Sequence, residues 1–300
     1  MIIYANLDQE ARWSGLGLPA HVARRISALS ALLAAFAPAG EDVEIFAPAA
    51  VDPARVNLAA TMRTGTPARF DLAWADPAAR AVNDRRFALA VARELGGALP
   101  GARAITAGDE LDAVAWPARW VCKAAWTAAG RDRAHGEGAP VGELRARVAN
   151  LIARAGACVL EPWLDRIADF GACGAVDAAG RVTDHEPHAL VVDARGRFRG
   201  IERRAPDLAA AERAELERAF AAAGAALARA GYAGPFGIDG FVYRDATGAR
   251  AFHAPCEINA RHTFGHVAHA LGCRVLGFGP PPPGATILVD GEVTAWAVAS

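Results

Sequence analysis

An α/β fold, passing to α+β in the C-terminal part, is what this 300-residue sequence predicts. Three observations carry that expectation. Over the first hundred residues, short apolar strands alternate with amphipathic helical stripes, which is the rhythm of βαβ units. Beyond residue 160, short strands separated by Asp177-Ala-Ala-Gly180 and Asp193-Ala-Arg-Gly196 turns lead into one long helix and then strands again. The composition, 53% hydrophobic and 22% charged, is that of an ordinary globular chain with ample core.

Three regions follow in order. Residues 1–97 read as a small parallel sheet with helices packed on it. Met1–Asn6 is a buried-type strand. Pro19–Phe36 is a helix, because Val22, Ile26, Leu29, Leu32 and Leu33 fall on one stripe. Val43–Phe46 is a second strand closed by Ala47-Pro48, and Asp71–Trp74 is a third. A helix then runs to Leu95, with Asn83 or Asp84 as its cap and Gly96-Gly97 as its stop.

Residues 98–163 form the second region. It holds a strand at Ala102–Thr106, a helix at Gly108–Val114 and a strand at Trp120–Ala125 that carries Lys123. A polar loop spans Thr127–Ala139. The amphipathic helix Val141–Ala155 ends at Gly156, and the strand Ala157–Leu160 leads into Glu161-Pro162-Trp163-Leu164. Residues 164–300 begin with strands at Phe170–Val176, Arg181–Thr183, Ala189–Val192 and Phe198–Ile201. Polar Asp184-His185-Glu186-Pro187-His188 reads as a turn between two of them. The helix Leu208–Ala230, a hairpin over Gly237–Arg261, the helix Phe264–Leu271, a Pro280–Pro283 turn and a hairpin of Ile287–Val289 with Val293–Val298 complete the chain.

Composition also excludes. A formal net charge of −1 provides no basic field for nucleic acid or an anionic membrane. No apolar run reaches the length of a membrane span, and the opening residues turn acidic too soon for a signal peptide. Cys122, Cys158, Cys173, Cys256 and Cys273 are scattered without a Cys-x-x-Cys pair, which reads as reduced thiols in the cytoplasm.

The segment most charged with chemistry is Gly237–Arg261. Period-two alternation puts Asp239 and Phe241 on one face of its first strand and Glu257 and Asn259 on one face of its second. Two carboxylates and an amide oxygen suit a hard cation such as Mg²⁺, which takes part of its shell from substrate phosphates. The same segment also reads as a surface hairpin with incidental acids. Lys123 on its strand presents a point charge suited to phosphate, and the loop after it, with Thr127, Gly130, Arg131 and Arg133, supplies hydroxyl, backbone and guanidinium donors. An edge lysine beside a solvated loop is the plainer alternative. Glu161 can accept from an exocyclic amine, and the backbone of Trp163 and Leu164 offers a donor and an acceptor to a purine edge, unless these are simply core residues. His262, His266 and His269, with His253 nearby, have a spacing open to zinc or to a substrate pocket.

Taken in order, Trp120-Val-Cys-Lys123, Glu161-Pro-Trp-Leu164, Gly237-Ile-Asp239 and Glu257-Ile-Asn259-Ala-Arg261 resemble the ATP-grasp superfamily of carboxylate–amine ligases, the group of D-alanine–D-alanine ligase and glutathione synthetase. The resemblance covers residues 98 to 275, with 1–97 as the preceding α/β domain. It implies that Lys123, Thr127, Gly130 and Arg131 bind the phosphates of ATP, that 98–163 acts as a lid region, and that Glu161, Trp163 and Leu164 hold the adenine. Asp169 would contact the ribose. Asp239, Glu257 and Asn259 would hold Mg²⁺ (or Mn²⁺), and Arg261 would face the transferring phosphoryl group, with Lys123 beside it in the chemistry. Arg85 would join the nucleotide contacts, standing where relatives carry a lysine, and Ala260 stands where they carry proline. His262, His266, Trp13 and Ser14 are expected to contact substrate. The expected partners are small amino acid or peptide substrates, with no nucleic acid and no membrane; a homodimer is allowed.

Overall fold

The computed structural model describes residues 1–5, 7, 9, 13, 18–65, 77–126, 132–193, 197–203 and 207–300, with every side chain among them except those of 184 and 185. The chain forms two compact units. One comprises Met1–Asp76, Leu190–Arg204 and His262–Ser300; the other comprises Pro77–Ala189 and Ala205–Arg261.

The first unit opens with β1 (Ile2–Tyr4), α1 (Ala20–Ser30) with a 3₁₀ extension at Ala31–Phe36, β2 (Glu44–Ala47) and β3 (Thr61–Thr64). The expected parallel sheet is present: β1 pairs with β2 and β2 with β3, both parallel, with Ile3 opposite Ile45 and Ile45 opposite Met62. The strand predicted at Asp71–Trp74 lies outside the described residues.

The second unit contains α2 (Pro77–Val82), α3 (Arg85–Glu94), β4 (Arg103–Ile105), β5 (Arg119–Ala124), β6 (Arg133–Glu137), α4 (Gly142–Ala155), β7 (Cys158–Pro162), β8 (Asp165–Val176) and β9 (Val182–Val192), whose last residues enter the first unit. After β10 (Phe198–Glu202) of the first unit come α5 (Ala210–Arg229), β11 (Gly234–Arg244) and β12 (Arg250–Asn259) of the second. The chain returns to the first unit with α6 (Phe264–Ala270), β13 (Cys273–Phe278), β14 (Thr286–Val289) and β15 (Ala295–Ala299). No helix among the described residues is long and apolar enough to cross a membrane.

Two sheets in the second unit matter for function. The smaller has the order β4-β7-β5-β6. Trp120, Cys122 and Ala124 of β5 and Cys158 and Leu160 of β7 pack with Val148, Leu151 and Ile152 of α4. Alternation then leaves Lys123 and Glu161 on the helix-free face. In the larger sheet β11 lies between β8 and β12 and runs antiparallel to both. Its Phe170, Ala172, Ile238, Val242 and Ile258 pack against Ala88 and Val91 of α3 and Leu216, Phe220 and Leu227 of α5. The opposite face carries Asp169, Asp239, Glu257 and Asn259 by the same alternation.

Several elements differ from the sequence expectation. The short helix α2 ahead of α3 is unforeseen, whereas α3 itself is capped as read, with Asp84 accepting from the Arg86 N–H at 2.8 Å. Gly108–Val114 is a 3₁₀ helix over Gly108–Asp112. Within the supposed loop Thr127–Ala139, residues 133–137 form β6, paired with β5 so that Arg133 lies opposite Lys123. The polar run 184–188 is not a turn but the middle of β9, where pairing with β8 overrides local turn chemistry. β13, unforeseen, pairs with β10 and β15.

Candidate active site

The site is built from the two helix-free faces of the second unit and the start of α3. On the larger sheet, Asp239 lies directly opposite Glu257, and Gly237 opposite Asn259. The two carboxylates and the amide therefore share one face, as their spacing predicts. Past this pair the register shifts: Gly240 alone faces Ala254 to Cys256. Gly240 has to be glycine, because a Cβ there would lie 2.8 Å from the Phe170 ring and 2.9 Å from the Ala254 methyl.

Two acids on adjacent strands repel each other, and the structure offsets only one of them. Arg85, at the first turn of α3, donates to Glu257 Oε2 at 2.9 Å. The Arg85 N–H donates to the Ala125 carbonyl at 3.0 Å, fastening the helix start to the end of β5. Burial pushes Glu257 up, but Arg85, Lys123 and Arg261 outweigh it and hold it below the usual carboxylate range. Asp239 has no such partner among the described residues. Burial first, then the Glu257 charge, pushes it up to about 7, with Arg85 and Arg261 only partly opposing.

On the smaller sheet, Lys123 Nζ donates to Glu161 Oε2 at 2.5 Å, with only 13% and 10% of the two side chains exposed. Burial raises Glu161, but Lys123 overrides it and keeps the carboxylate ionised below its ordinary range. The residue assigned to phosphates and the residue assigned to the adenine amine are thus partners. The Trp163 N–H, expected to serve a base edge, donates to the Arg119 carbonyl at 2.8 Å. That amide is spent on the end of the sheet, and the Trp163 ring packs edge-on against His135. Leu164 is half-buried beside it.

Arg261 ends the β12 segment. Its Nη1 lies 3.4 Å from Asn83 Oδ1, which also accepts the Ala260 N–H at 2.9 Å; Asn83 Nδ2 donates to Ala79 O at 2.8 Å and to Ala260 O at 3.3 Å. Ala260, in place of the proline of relatives, thereby has its N–H satisfied.

Three further residues enter the site without a sequence signal that assigns them to it. Asn83 reads in sequence only as a helix cap. His253, opposite Phe241, is buried, with Nδ1 2.9 Å from Gly97 O, so that Nδ1 carries the proton. Arg166 is the third. Tyr243 pairs with Arg166 and Val242 with Ala168, so Ile167 is an extra residue and the bulge brings Arg166 to the face of Asp169. Strict alternation would have put them on opposite faces; a bulge leaves no mark in sequence. Cys256, next to Glu257, is held protonated, its thiol pushed up to about 12 by burial.

Trp13, His262 and His266 belong to the other unit. There, the His262 ring packs, tilted, against Phe36 with centroids 4.3 Å apart, and His266 Nδ1 accepts the Thr263 N–H at 3.0 Å. Ser14, Thr127, Gly130 and Arg131 lie outside the described residues.

The donor set fits a hard divalent ion. Asp239 and Asn259 offer oxygens, Glu257 keeps Oε1 while Arg85 holds Oε2, and the raised Asp239 marks negative charge that a cation would relieve.

No protein-family model and no curated protein matches the sequence. Solved structures do match the fold. Biotin carboxylase from Campylobacter jejuni, in a β,γ-ATP complex, superposes with a TM-score of 0.59 at 15% identity, over 91% of this chain and 67% of that one. N5-carboxyaminoimidazole ribonucleotide synthetase from Thermus thermophilus gives 0.58 at 14% identity, over 100% and 94%. The Staphylococcus aureus N5-carboxyaminoimidazole synthetase, complexed with ADP, gives 0.59 at 11%, over 100% and 92%. These are ATP-grasp enzymes, and the chain has the ATP-grasp fold, with an α/β region preceding it.

Proposed function

We propose that the protein is an ATP- and Mg²⁺-dependent ligase that joins a carboxylate to an amine through an acyl phosphate, releasing ADP and phosphate. The observation that carries this reading is the Asp239–Glu257–Asn259 face, with its under-compensated charge, set in one unit with Lys123, Arg85 and Arg261. Amino acids or peptides are the substrates inferred, and the dispersed cysteines fit a cytoplasmic setting.

The chemistry follows from charge. A substrate carboxylate oxygen attacks the γ-phosphorus, the bond to the bridging oxygen breaks, and ADP leaves with the electron pair. Bound at Asp239, Glu257 and Asn259, a divalent ion would supply charge neutralisation to the phosphoryl oxygens. Lys123 and Arg85 add fixed positive charge at the same place, and neither must reorganise at the moment of reaction. The amine nitrogen then attacks the acyl carbon, the C–O bond to phosphate breaks, and the amine proton passes to solvent. Arg261, held by Asn83, faces the oxyanion that forms at that carbon. Glu161 accepts from the adenine amine, exchanging Lys123 Nζ for the base or sharing its second oxygen.

The test is ADP and phosphate release with Mg²⁺-ATP and a panel of amino acids and dipeptides, with and without hydroxylamine. Hydroxamate formation traps the acyl phosphate and supports the reading. Phosphorylated product without phosphate release would replace it with a kinase, and tight ATP binding without turnover would replace it with a nucleotide-binding module.

A further inference from the structure

We infer that Arg166 is a positioning residue through which the nucleotide site reads the sugar, favouring ribonucleotides over 2′-deoxyribonucleotides. The inference rests on the nucleotide-binding reading of this site and extends it to a residue with no role in that reading.

Arg166, at the start of β8, is held on two sides. Its Nη1 donates to Asp169 Oδ1 at 2.6 Å. Its guanidinium carbon lies 3.9 Å from the centroid of the Phe241 ring, and 6.0 Å from that of Trp163. The Phe241 ring fixes the plane of the fork, and the fork fixes the carboxylate. Asp169 is directly opposite Phe241 across β8 and β11, so the three side chains form one stack.

Asp169 is what this stack orients. Its side chain is 10% exposed, and among the described residues its Oδ2 has no hydrogen-bond partner. A nine-tenths-buried carboxylate with one oxygen satisfied calls for a donor at the other. Cationic donors are already disposed elsewhere: Lys123 on Glu161, Arg85 on Glu257. A neutral hydroxyl pair is the donor that matches.

Position selects which hydroxyls. Along β11, Asp169's partner Phe241 is two residues from Asp239, about 7 Å away. In the other direction Arg166 feels the charge of Glu161. The open oxygen therefore lies between the end proposed for the base and the end proposed for the phosphates, where the sugar of one bound nucleotide has to pass. Without Arg166, Asp169 is unpinned and its charge is uncompensated, so the geometry that meets the 2′-hydroxyl is lost.

The experiment is calorimetric titration of the full chain with Mg²⁺-ATP and Mg²⁺-2′-dATP. A charge-assisted hydrogen bond to the 2′-hydroxyl predicts about tenfold tighter binding of ATP. Arg166→Met should cut that preference to about twofold or less, Arg166→Lys should restore part of it, and Asp169→Asn should remove it. Circular dichroism checks folding. Should Arg166→Met fail to fold because it strands a buried carboxylate, the neutral pair Arg166→Met/Asp169→Asn must bind ATP and 2′-dATP equally. An Arg166→Met protein, or that pair, that keeps the wild-type preference overturns the inference. A wild type that binds ATP and 2′-dATP equally overturns it too, while leaving the nucleotide reading intact. A wild type that binds neither overturns the nucleotide reading itself.

Discussion

The two sheets of the second unit solve the same problem in opposite ways. Each buries one face under a helix and carries charge on the other. On the smaller sheet the charges cancel, since Lys123 and Glu161 lie 2.5 Å apart. On the larger sheet like charges face each other, with Asp239 opposite Glu257 and Arg85 ion-paired to Glu257. The first arrangement is stable as it stands. The second holds two acids at close quarters, and burial with the Glu257 charge pushes Asp239 up to about 7. Pre-paired charge makes a rigid wall, and unpaired like charge makes a socket.

The sharpest way to break this contrast is to remove charge from the socket. Glu257→Gln should lower ADP release by about 10³-fold while circular dichroism stays native. Retained activity would end the assignment of Glu257 as a metal ligand. On the wall, Lys123→Met should destabilise the protein by about 3–5 kcal/mol in urea unfolding, because it leaves Glu161 buried and ionised. Adding Glu161→Gln should recover most of that loss; if it recovers none, the pair is not an energetic unit.

Asp239 distinguishes the two ends by pH. Its folded value is raised above its unfolded value, so the stability that goes with its proton is present below about pH 4 and is lost as pH rises towards 7. Glu257 is lowered and has the opposite sign, losing its contribution only as pH falls below the ordinary carboxylate range. Asp239→Asn should therefore gain on wild type between pH 5 and 8, by up to about 4 kcal/mol at the upper end, in melting curves without metal. Parallel curves for the two proteins across that range would show that Asp239 titrates normally. The smallest effect is steric. A methyl at Gly171 would lie 2.8 Å from His188 Nε2, 3.0 Å from Ile238 O and 3.4 Å from Asp239 Oδ1. Gly171→Ala should cost about 1 kcal/mol and weaken Mn²⁺ binding, leaving the Lys123–Glu161 end unaffected. Unchanged Mn²⁺ affinity would place the ion away from Asp239.

What was legible in the sequence follows the same divide. Period-two alternation was enough to put Asp239, Glu257 and Asn259 on one face, since nothing interrupts the ladder from residue 237 to 239 or from 257 to 259. Lys123 was legible as a strand residue between apolar neighbours and Glu161 as the residue directly after a strand, but their mutual pairing was not, because it depends on the register of β5 against β7. Arg166 was missed because one bulged residue changes its face. β6 and the middle of β9 were missed because their polar residues match turn chemistry locally, and only partner strands supply the hydrogen bonds that make them extended. Positions fixed by uninterrupted alternation could be read, and those fixed by a bulge or by a distant strand's register could not.

The division of the chain between its units has a consequence for the order in which the protein comes into being. The unit that carries the site ends at Arg261, so all of its strands exist before residues 262–300 have been synthesised. The other unit begins at residue 1 yet waits for the last strands, since Val56 bridges to Val289 and the Asn57 N–H donates to the Leu288 carbonyl. On the ribosome, where earlier segments emerge first, the unit ending at Arg261 can close while the other unit still lacks residues 262–300. Val56 and Asn57 find their partners only once residues 288 and 289 have been made.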